Sequence, residues 1–294
     1  MAVPRTSALA LIVGILVAFH AQIAAAAPAR IVSLSPSVTE TLFALGAGAE
    51  VVGVSDYSGY PPAALKLPHV GSYLSPAIEM IAALEPTLII GAGLSANSRQ
   101  IEALAAMGYP TLMTDDNSLA GIYNSIQRIG DVIGRAGAAR ALRMRIKNHI
   151  AAIRARLGNA PPRTVLMVVG HQPMIAVGPG TFLNQLISMA GGINIAGKID
   201  QSWPRLSIEY IIAMKPDVIL DGQMGGDAPV ASGFWSRYPT IPAVREHRIY
   251  GYPQDPTLHP GPRIWRSLEI LATRIHPEAF NTPLHPPTQE SALK

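Results

Sequence analysis

The strongest constraint on the fold of this chain is an internal repeat. Residues 78–90 read IEMIAALEPTLII, and residues 208–220 read IEYIIAMKPDVIL. In both segments, apolar residues at helical spacing precede a proline, which stops a helix, and a short apolar strand follows. The segment Leu42–Gly48, upstream of the first copy, is also similar to Leu186–Gly192, upstream of the second. One repeat of this kind predicts two similar α/β lobes rather than a solenoid, whose unit would recur every roughly 20–50 residues.

Each lobe is predicted to contain a parallel sheet, because short apolar strands alternate with helical segments. The predicted strands are Ile31–Leu34, Val51–Val54, Leu88–Ile90, Thr111–Met113, Thr164–Val169, Ile175–Val177, Val218–Leu220 and Arg248–Gly251. After the first strand, Ser37 and Glu40 fit a capping box at the start of a helix. Two such lobes that face each other would enclose a cleft.

The segment between the two repeats has a different pattern. Isoleucines recur at helical spacing over Ile122–Ile133, and after a glycine-containing break apolar residues recur in the same way over Leu142–Leu157. Gly158 ends the run. The pattern predicts one long helix or two, and we interpret Ala138–Leu157 as a helix that joins the lobes. Ordinary packing of this helix against a single lobe is the alternative.

Composition places the chain among ordered globular proteins with a weakly charged surface. Its 294 residues, of which 49% are hydrophobic and 14% charged, are enough for two domains with separate cores. Most of the net charge of +4 lies in Arg135–Arg156, where helical periodicity favours a solvated helix face over nucleic-acid binding. The chain has no cysteine, which excludes disulfides, thiolate metal sites and cysteine nucleophiles.

The N-terminus has the pattern of a secretory signal peptide. Arg5 precedes the apolar stretch Leu9–Phe19, and Ala24–Ala26 offers a small-residue cleavage site. A membrane anchor is the alternative, but the apolar stretch is shorter than the ~20 residues that span a bilayer. We therefore expect cleavage of residues 1–26 and a soluble periplasmic protein, without a lipid anchor because no acceptor cysteine exists.

An ordered set of short motifs resembles the helical-backbone class (class III) of periplasmic substrate-binding proteins. The motifs lie at Arg30–Glu40, Tyr60–Pro62, Ile78–Pro86, Ala190–Asn194 and Gly261–Arg263. The resemblance implies two Rossmann-like lobes with parallel sheets, joined by a single long α-helix. Members of this class capture cobalamin, haem or ferric siderophores for ABC importers of the inner membrane.

This resemblance also sets the expected domain boundaries. We expect a signal peptide over 1–26, an N-terminal α/β lobe over 27–134, a connecting helix over 135–160 and a C-terminal α/β lobe over 161–280. The remainder, 281–294, is rich in proline and is expected to be disordered.

Within the class, the sequence is most similar to the members that bind cobalamin. Gly53–Pro62 is similar to their aromatic loop, and Ser202–Ser207 is similar to their Trp-Pro segment. The resemblance implies that Tyr57, Tyr73 and Trp203 line the ligand site. A wide, flat and amphipathic tetrapyrrole suits aromatic side chains of this kind.

The resemblance further implies a polar ligand contact by Asp255, in the last loop of the cleft. His171 and His259 are candidates for ligand contact, including axial contact with a metallated macrocycle. We expect no resident metal or cofactor, because no pair of histidines has local ligand spacing and no carboxylate cluster accompanies them. The ligand is therefore expected to be cobalamin, with haem as the alternative.

Glu79 and Glu209 occupy matching positions in the two copies of the repeat. The helix macrodipole alone favours an acid in the first turn, by ~0.3–1 kcal/mol. The resemblance implies in addition that both acids dock on a symmetric permease dimer, and we expect the protein itself to be a monomer.

Other functions have weaker support from the residues. A ferric siderophore would favour several arginines in the cleft, where only Arg205 and Arg237 are plausible. For an enzyme, we find no nucleophile elbow and no phosphate-binding loop. Asp115 and Asp116 form an adjacent carboxylate pair, but acids at a strand end are usually solvated turn residues.

Overall fold

The computed structural model describes residues 29–72, 74–92, 98–222 and 233–280. The predicted signal peptide and C-terminal tail lie outside these ranges. No helix within the described part of the chain is long and apolar enough to cross a membrane.

The N-terminal half alternates strands and helices. Its elements are β1 (Ile31–Ser33), α1 (Pro36–Ala44), β2 (Val51–Val54), β3 (Gly71–Ser72), β4 (Ser75–Pro76), α2 (Ile78–Ala83), β5 (Leu88–Ala92), α3 (Ser98–Ala106), β6 (Thr111–Thr114) and α4 (Leu119–Val132). Four of the strands form a parallel sheet in the order β2-β1-β5-β6, and β3 pairs with β4 in a separate antiparallel hairpin.

The long helix α5 (Ala136–Leu157) leads into a second half of the same kind. The later elements are β7 (Arg163–His171), β8 (Met174–Ala176), α6 (Phe182–Met189), β9 (Gly192–Asn194), α7 (Ile208–Met214), β10 (Val218–Asp221), α8 (Pro242–Arg245), β11 (Ile249–Gly251), α9 (Gln254–Thr257) and α10 (Ile264–Ile275). Strands β9, β10 and β11 run parallel in one sheet with β7, and β8 adds an antiparallel pairing to β7.

The two sheets share a strand order, which confirms that the repeat marks two similar lobes. In the first sheet β1 lies between β2 and β5, and β6 lies beyond β5; in the second, β7 lies between β9 and β10, and β11 lies beyond β10. The repeated segments form the equivalent units α2–β5 and α7–β10. Pro86 and Pro216 separate helix from strand in the two copies.

The joining helix has 22 residues and packs its apolar face against both lobes. A single cluster of buried side chains contains Ile31 of β1, Ile146 of α5 and Val165 of β7. The other face of each sheet packs in a separate cluster, around Ile89 in the first lobe and Ile219 in the second. The fold prediction of two α/β lobes joined by one long helix is confirmed.

The break predicted before the long helix is also present. Helix α4 ends at Val132, Gly134 takes a φ of +71°, and α5 begins at Ala136. Helix α4 runs back from the carboxyl end of β6, and α5 leads into the amino end of β7. The long helix therefore lies on the side of the molecule opposite the carboxyl ends of the strands, and it leaves that edge open for a cleft.

The predicted capping box at α1 is wrong. The N-cap is Ser35, whose hydroxyl accepts a hydrogen bond from the backbone N–H of Val38 at 3.4 Å. Glu40 instead pairs with Arg263 in the other lobe, and Ser37 donates a hydrogen bond to Asp116. Both side chains therefore serve long-range contacts rather than the local cap.

Truncation of the buried face of α5 should destabilise the whole fold. Ile146 is 1% exposed, so Ile146→Ala should lower the free energy of unfolding by about 2–5 kcal/mol. Met144 lies on the same helix and is 56% exposed, so Met144→Ala should change it by less than about 0.5 kcal/mol. Urea titrations of both variants test this prediction, and equal losses would contradict the packing described.

Candidate ligand-binding site

The predicted ligand residues that the structure describes lie at the carboxyl ends of strands. Tyr57 follows β2, His171 ends β7, Trp203 follows β9, and both Asp255 and His259 follow β11. Ligands of open α/β sheets bind beyond this edge, near the strand at which the order reverses. The topology therefore places residues from both lobes around one crevice.

Tyr57 is presented to solvent by a constrained loop. Its side chain is 76% exposed, and its φ of +67° is uncommon for a residue other than glycine. The backbone N–H of Asp56 donates to the carbonyl of Gly71 at 2.9 Å, and that of Gly59 donates to the carbonyl of Tyr57 at 2.9 Å. A large aromatic ring held exposed at such a backbone position is poorly explained by packing alone.

Trp203 is 48% exposed on a loop that is fixed along β8. The backbone N–H of Ala176 donates to the carbonyl of Pro204 at 3.0 Å, and that of Gly178 donates to the carbonyl of Ser202 at 2.9 Å. A side chain at Gly178 would place its Cβ 2.1 Å from the carbonyl oxygen of Gln201, so only glycine allows this close approach. The backbone of this loop is therefore fixed, with Trp203 half-exposed on it.

Tyr73 lies outside the described residues. Its neighbours Ser72 and Ser75 belong to the β3–β4 hairpin, where the sequence indicated only a loop. Leu74 in the same turn is 47% exposed, which adds an apolar side chain that sequence reasoning had not singled out.

His171 is held in place by a carboxylate at the end of the neighbouring strand. Its Nε2 lies 2.8 Å from Oδ2 of Asp221, which also accepts a hydrogen bond from the indole N–H of Trp235 at 2.7 Å. The imidazole packs edge-on against Phe234, with ring centroids 4.5 Å apart. We assign the Nε2–H tautomer, because a carboxylate oxygen of Asp221 lies at hydrogen-bond distance from that nitrogen. This tautomer leaves Nδ1 as the nitrogen able to accept or to coordinate.

A charged network lies at the floor of the crevice and joins the two lobes. The guanidinium of Arg263 donates to Glu40 of α1, with Nε 2.9 Å from Oε2, and to Asp255, with Nη1 3.3 Å from Oδ2. Nη2 of Arg263 contacts both carboxylates as well. His259 Nδ1 lies 3.1 Å from Asp255, and the ring of Tyr60 lies 3.8 Å from the guanidinium.

Burial and pairing act in opposite directions on the pKa values of this network. Burial raises the pKa of Glu40, against the opposing effect of Arg263. Burial also acts to raise the pKa of Asp255, but hydrogen bonds from His259 and Arg263 outweigh it and lower that pKa to about 2. Burial alone would lower the pKa of Arg263, and the two carboxylates raise it above its ordinary value. Asp255 and Arg263 are therefore both charged at neutral pH.

The same residues include three groups with the chemistry of metal ligands. One ligand atom from each of Glu40, Asp255 and His259 lies within 4.8 Å of the others. Arg263, however, donates to both carboxylates and supplies the positive charge that a metal ion would bring. The arrangement fits an ion-pair network better than a metal centre.

The acidic pair at the end of β6 differs from its predicted role as two solvated turn residues. Asp115 is exposed, but Asp116 is partly buried and accepts a hydrogen bond from Ser37 at 2.7 Å. Burial raises the pKa of Asp116. Its carboxylate lines a small cavity that reaches Pro260 of the opposite lobe. For Asp116 the turn interpretation is therefore wrong.

The structure adds a third arginine, Arg263, to the two that the sequence suggested. Arg205 is exposed beside Trp203, and the guanidinium of Arg237 lies 5.2 Å from the ring of Phe234. Arg263, in contrast, lies between the lobes, with its side chain 12% exposed. Sequence reasoning had used Arg263 only as part of a family motif.

Glu79 and Glu209 are both exposed in the first turns of α2 and α7. Each helix runs back from the crevice edge to the amino end of the next strand, so both acids lie on the crevice side. The backbone N–H of Tyr210 donates to the hydroxyl of Ser207 at 3.2 Å, which makes Ser207 the N-cap of α7. A hydrogen bond to the backbone and another to Ser207 lower the pKa of Glu209.

The lowered pKa of Asp255 predicts a specific dependence of stability on pH. A carboxylate whose pKa is depressed in the folded state stabilises that state above the unfolded pKa of 3.8, and the effect is lost as pH falls towards about 2. Asp255→Asn should therefore be less stable than wild type at neutral pH, and the difference should shrink below about pH 4. Urea titrations from pH 7 to pH 2.5 measure it. If the difference in stability between wild type and Asp255→Asn does not depend on pH, the lowered pKa of Asp255 is contradicted.

Comparison with known proteins agrees with this geometry. Residues 31–256 match the family model described as periplasmic binding protein. The chain is 30% identical to a vitamin B12-binding protein of Yersinia pestis over 220 residues, which are 75% of this chain and 79% of that protein.

Two solved structures are similar throughout. The periplasmic vitamin B12-binding protein BtuF of Vibrio cholerae superposes with a TM-score of 0.76 at 26% identity, over 87% of this chain and 99% of that one. The periplasmic haem-binding protein RhuT of Roseiflexus sp. RS-1 in apo form gives a TM-score of 0.77 at 30% identity, over 85% of this chain and 99% of that one.

Proposed function

The chain belongs to the periplasmic binding protein family, and we propose that it captures a corrinoid such as cobalamin and delivers it to an ABC importer of the inner membrane. The proposal takes the protein as a periplasmic monomer whose ligand lies between the two lobes. The similarity to vitamin B12-binding proteins supports it.

Exposed aromatic side chains on fixed loops support a flat ligand. Tyr57 is presented from the first lobe and Trp203 from the second, with 76% and 48% of their surfaces exposed. Aromatic rings provide large contact areas and lose little conformational entropy. The family resemblance alone adds Tyr73 to the proposed ligand contacts.

The charge state of the crevice floor is the observation that favours a corrinoid over haem. Arg263 forms ion pairs with two carboxylates, and the side chain of the ionised Asp255 is 48% exposed. The amide side chains of a corrinoid can donate hydrogen bonds to such a carboxylate. Haem carries propionates instead, which an exposed carboxylate repels.

Calorimetric titration with cyanocobalamin and with haemin tests the ligand directly. Trp203→Ala should weaken cobalamin binding by about 1.5–3 kcal/mol, the scale for one large side chain that ligand binding buries. Trp203→Phe should weaken cobalamin binding less, because phenylalanine keeps an aromatic face. Met107→Ala, which truncates another exposed apolar residue away from the crevice, should leave binding unchanged. Tight binding of haemin with no binding of cobalamin would reject the corrinoid assignment.

Haem remains the second candidate, and His171 is the observation that favours it. Metal-ligating histidines commonly donate their other ring nitrogen to a carboxylate, as His171 does to Asp221. The similarity to the haem-binding protein of Roseiflexus agrees with this alternative. If haemin binds through His171, His171→Ala should shift the visible absorption bands of the complex. If the bands do not change, His171 is not an axial ligand.

We assign Glu79 and Glu209 to docking on the importer rather than to ligand capture. Both are exposed on the crevice side, one in each lobe, which suits a partner with two-fold symmetry. Reversal of both to Lys should weaken docking by several kcal/mol if the partner surface is basic. Ligand affinity should not change, because neither acid belongs to the crevice floor.

Binding of the liganded protein to its purified importer in nanodiscs measures this effect. Glu102→Lys is the matched control for Glu79→Lys, because it changes the charge equally at another exposed position of the first lobe. If the double variant docks like wild type, or if Glu102→Lys weakens docking as much as Glu79→Lys, the docking assignment is wrong.

A further inference from the structure

We propose that Arg263 is a positioning residue of the crevice, which holds Asp255 for contact with the ligand and connects it to Glu40 of the opposite lobe. This inference rests on the proposed function, because it takes Asp255 as a group that touches the ligand.

The contacts of Arg263 use two edges of its guanidinium. Nε and Nη2 donate to the two oxygens of Glu40, and Nη1 and Nη2 donate to the two oxygens of Asp255. Planar forks of this kind fix the orientation of a carboxylate as well as its charge. A lysine carries the same charge but lacks the rigid fork, so it cannot orient two carboxylates in the same way.

The surroundings of Arg263 restrict its own freedom. Tyr60 of the first lobe covers the guanidinium at 3.8 Å. Arg263 is also the N-cap residue of α10, so its backbone is fixed at a helix end. Two residues earlier, a Cβ at Gly261 would lie 3.4 Å from the Cα of Ser37 in α1, which is ordinary van der Waals contact. The loop that carries Arg263 therefore contacts the opposite lobe.

Exposure increases along the network from one lobe to the crevice. The side chain of Glu40 is 3% exposed, that of Arg263 12% and that of Asp255 48%. Glu40 is therefore the buried anchor, and Asp255 is the end of the network that a ligand can reach. A carboxylate oriented in advance loses less conformational entropy on binding, which raises affinity without any new contact.

A purely structural role for Arg263 makes a different prediction. If Arg263 only holds the lobes together, its loss should weaken binding equally whether or not residue 255 carries a carboxylate. If it acts through Asp255, its loss should matter only while that carboxylate is present. A double-mutant cycle separates these two cases.

The cycle measures the Kd for cyanocobalamin in wild type, Arg263→Gln, Asp255→Ala and the double variant. Arg263→Gln should raise the Kd about tenfold in the wild-type background and less than about twofold in the Asp255→Ala background. Arg263→Lys should recover only part of the loss. Arg266→Gln, on the same helix and stacked on Trp265, should leave the Kd unchanged. Equal losses in both backgrounds would overturn the proposal and leave the transport function intact.

A second measurement needs no ligand, so it tests the role of Arg263 even if the protein does not bind cobalamin. Carboxyl-carbon NMR should place the titration midpoint of Asp255 near 2 in the wild type, because His259 and Arg263 hydrogen-bond to it. In Arg263→Gln the midpoint should rise towards the ordinary value, and if that variant does not fold, Arg263→Lys serves in both measurements. An unchanged midpoint would show that Arg263 does not hold this carboxylate. If the wild-type protein does not bind cobalamin, only the corrinoid assignment is rejected.

Discussion

The packing of α5 against one helix of each lobe, α4 and α10, is the interaction on which the rest of the structure depends. Each sheet has an apolar face that must be buried, and the buried side of α5 belongs to the same cluster of buried side chains as residues of both sheets. Because that cluster is continuous, the lobes do not meet only through a flexible linker. The side chain of Gln185 in the second lobe also accepts a hydrogen bond from the first turn of α4, at 2.9 Å. The packing of the core therefore determines the geometry of the crevice.

At the opposite edge, the lobes are linked by charge rather than by apolar packing. Removing the carboxylate of Glu40 and the guanidinium of Arg263 from water is costly, and their attraction offsets that cost only when the remaining donors and acceptors are satisfied. Here Asp255 takes the second edge of the guanidinium, and Tyr60 covers its face. The pair is therefore better explained by the orientation that it imposes than by a gain in stability. It lies beside the crevice, where orientation affects binding.

The regular part of the fold could be predicted from the sequence because it depends on local periodicity. The repeat indicated α2–β5 and α7–β10, and the apolar spacing of α5 indicated its buried face. Glu40 was assigned to a local cap because its spacing from Ser37 fits one, yet its partner lies 223 positions away. Asp116 was misread for the same reason, since its partner Ser37 belongs to another element. Single-sequence patterns carry no information on such pairs, and Asp221 has no local signature.

The proposed role of Asp255 gives a physical reason why one fold could serve different tetrapyrroles. The shape of the crevice follows from the sheets and from α5, and flat aromatic contacts accept any macrocycle. Discrimination therefore depends on the few polar groups at the rim and floor, where an ionised acceptor rejects a carboxylate and accepts an amide donor. In this chain Asp255 keeps its charge because His259 and Arg263 hydrogen-bond to it, and Arg263 is itself neutralised by Glu40. If Asp255 faces the ligand as we propose, selectivity depends on a contact between the lobes as well as on Asp255 itself.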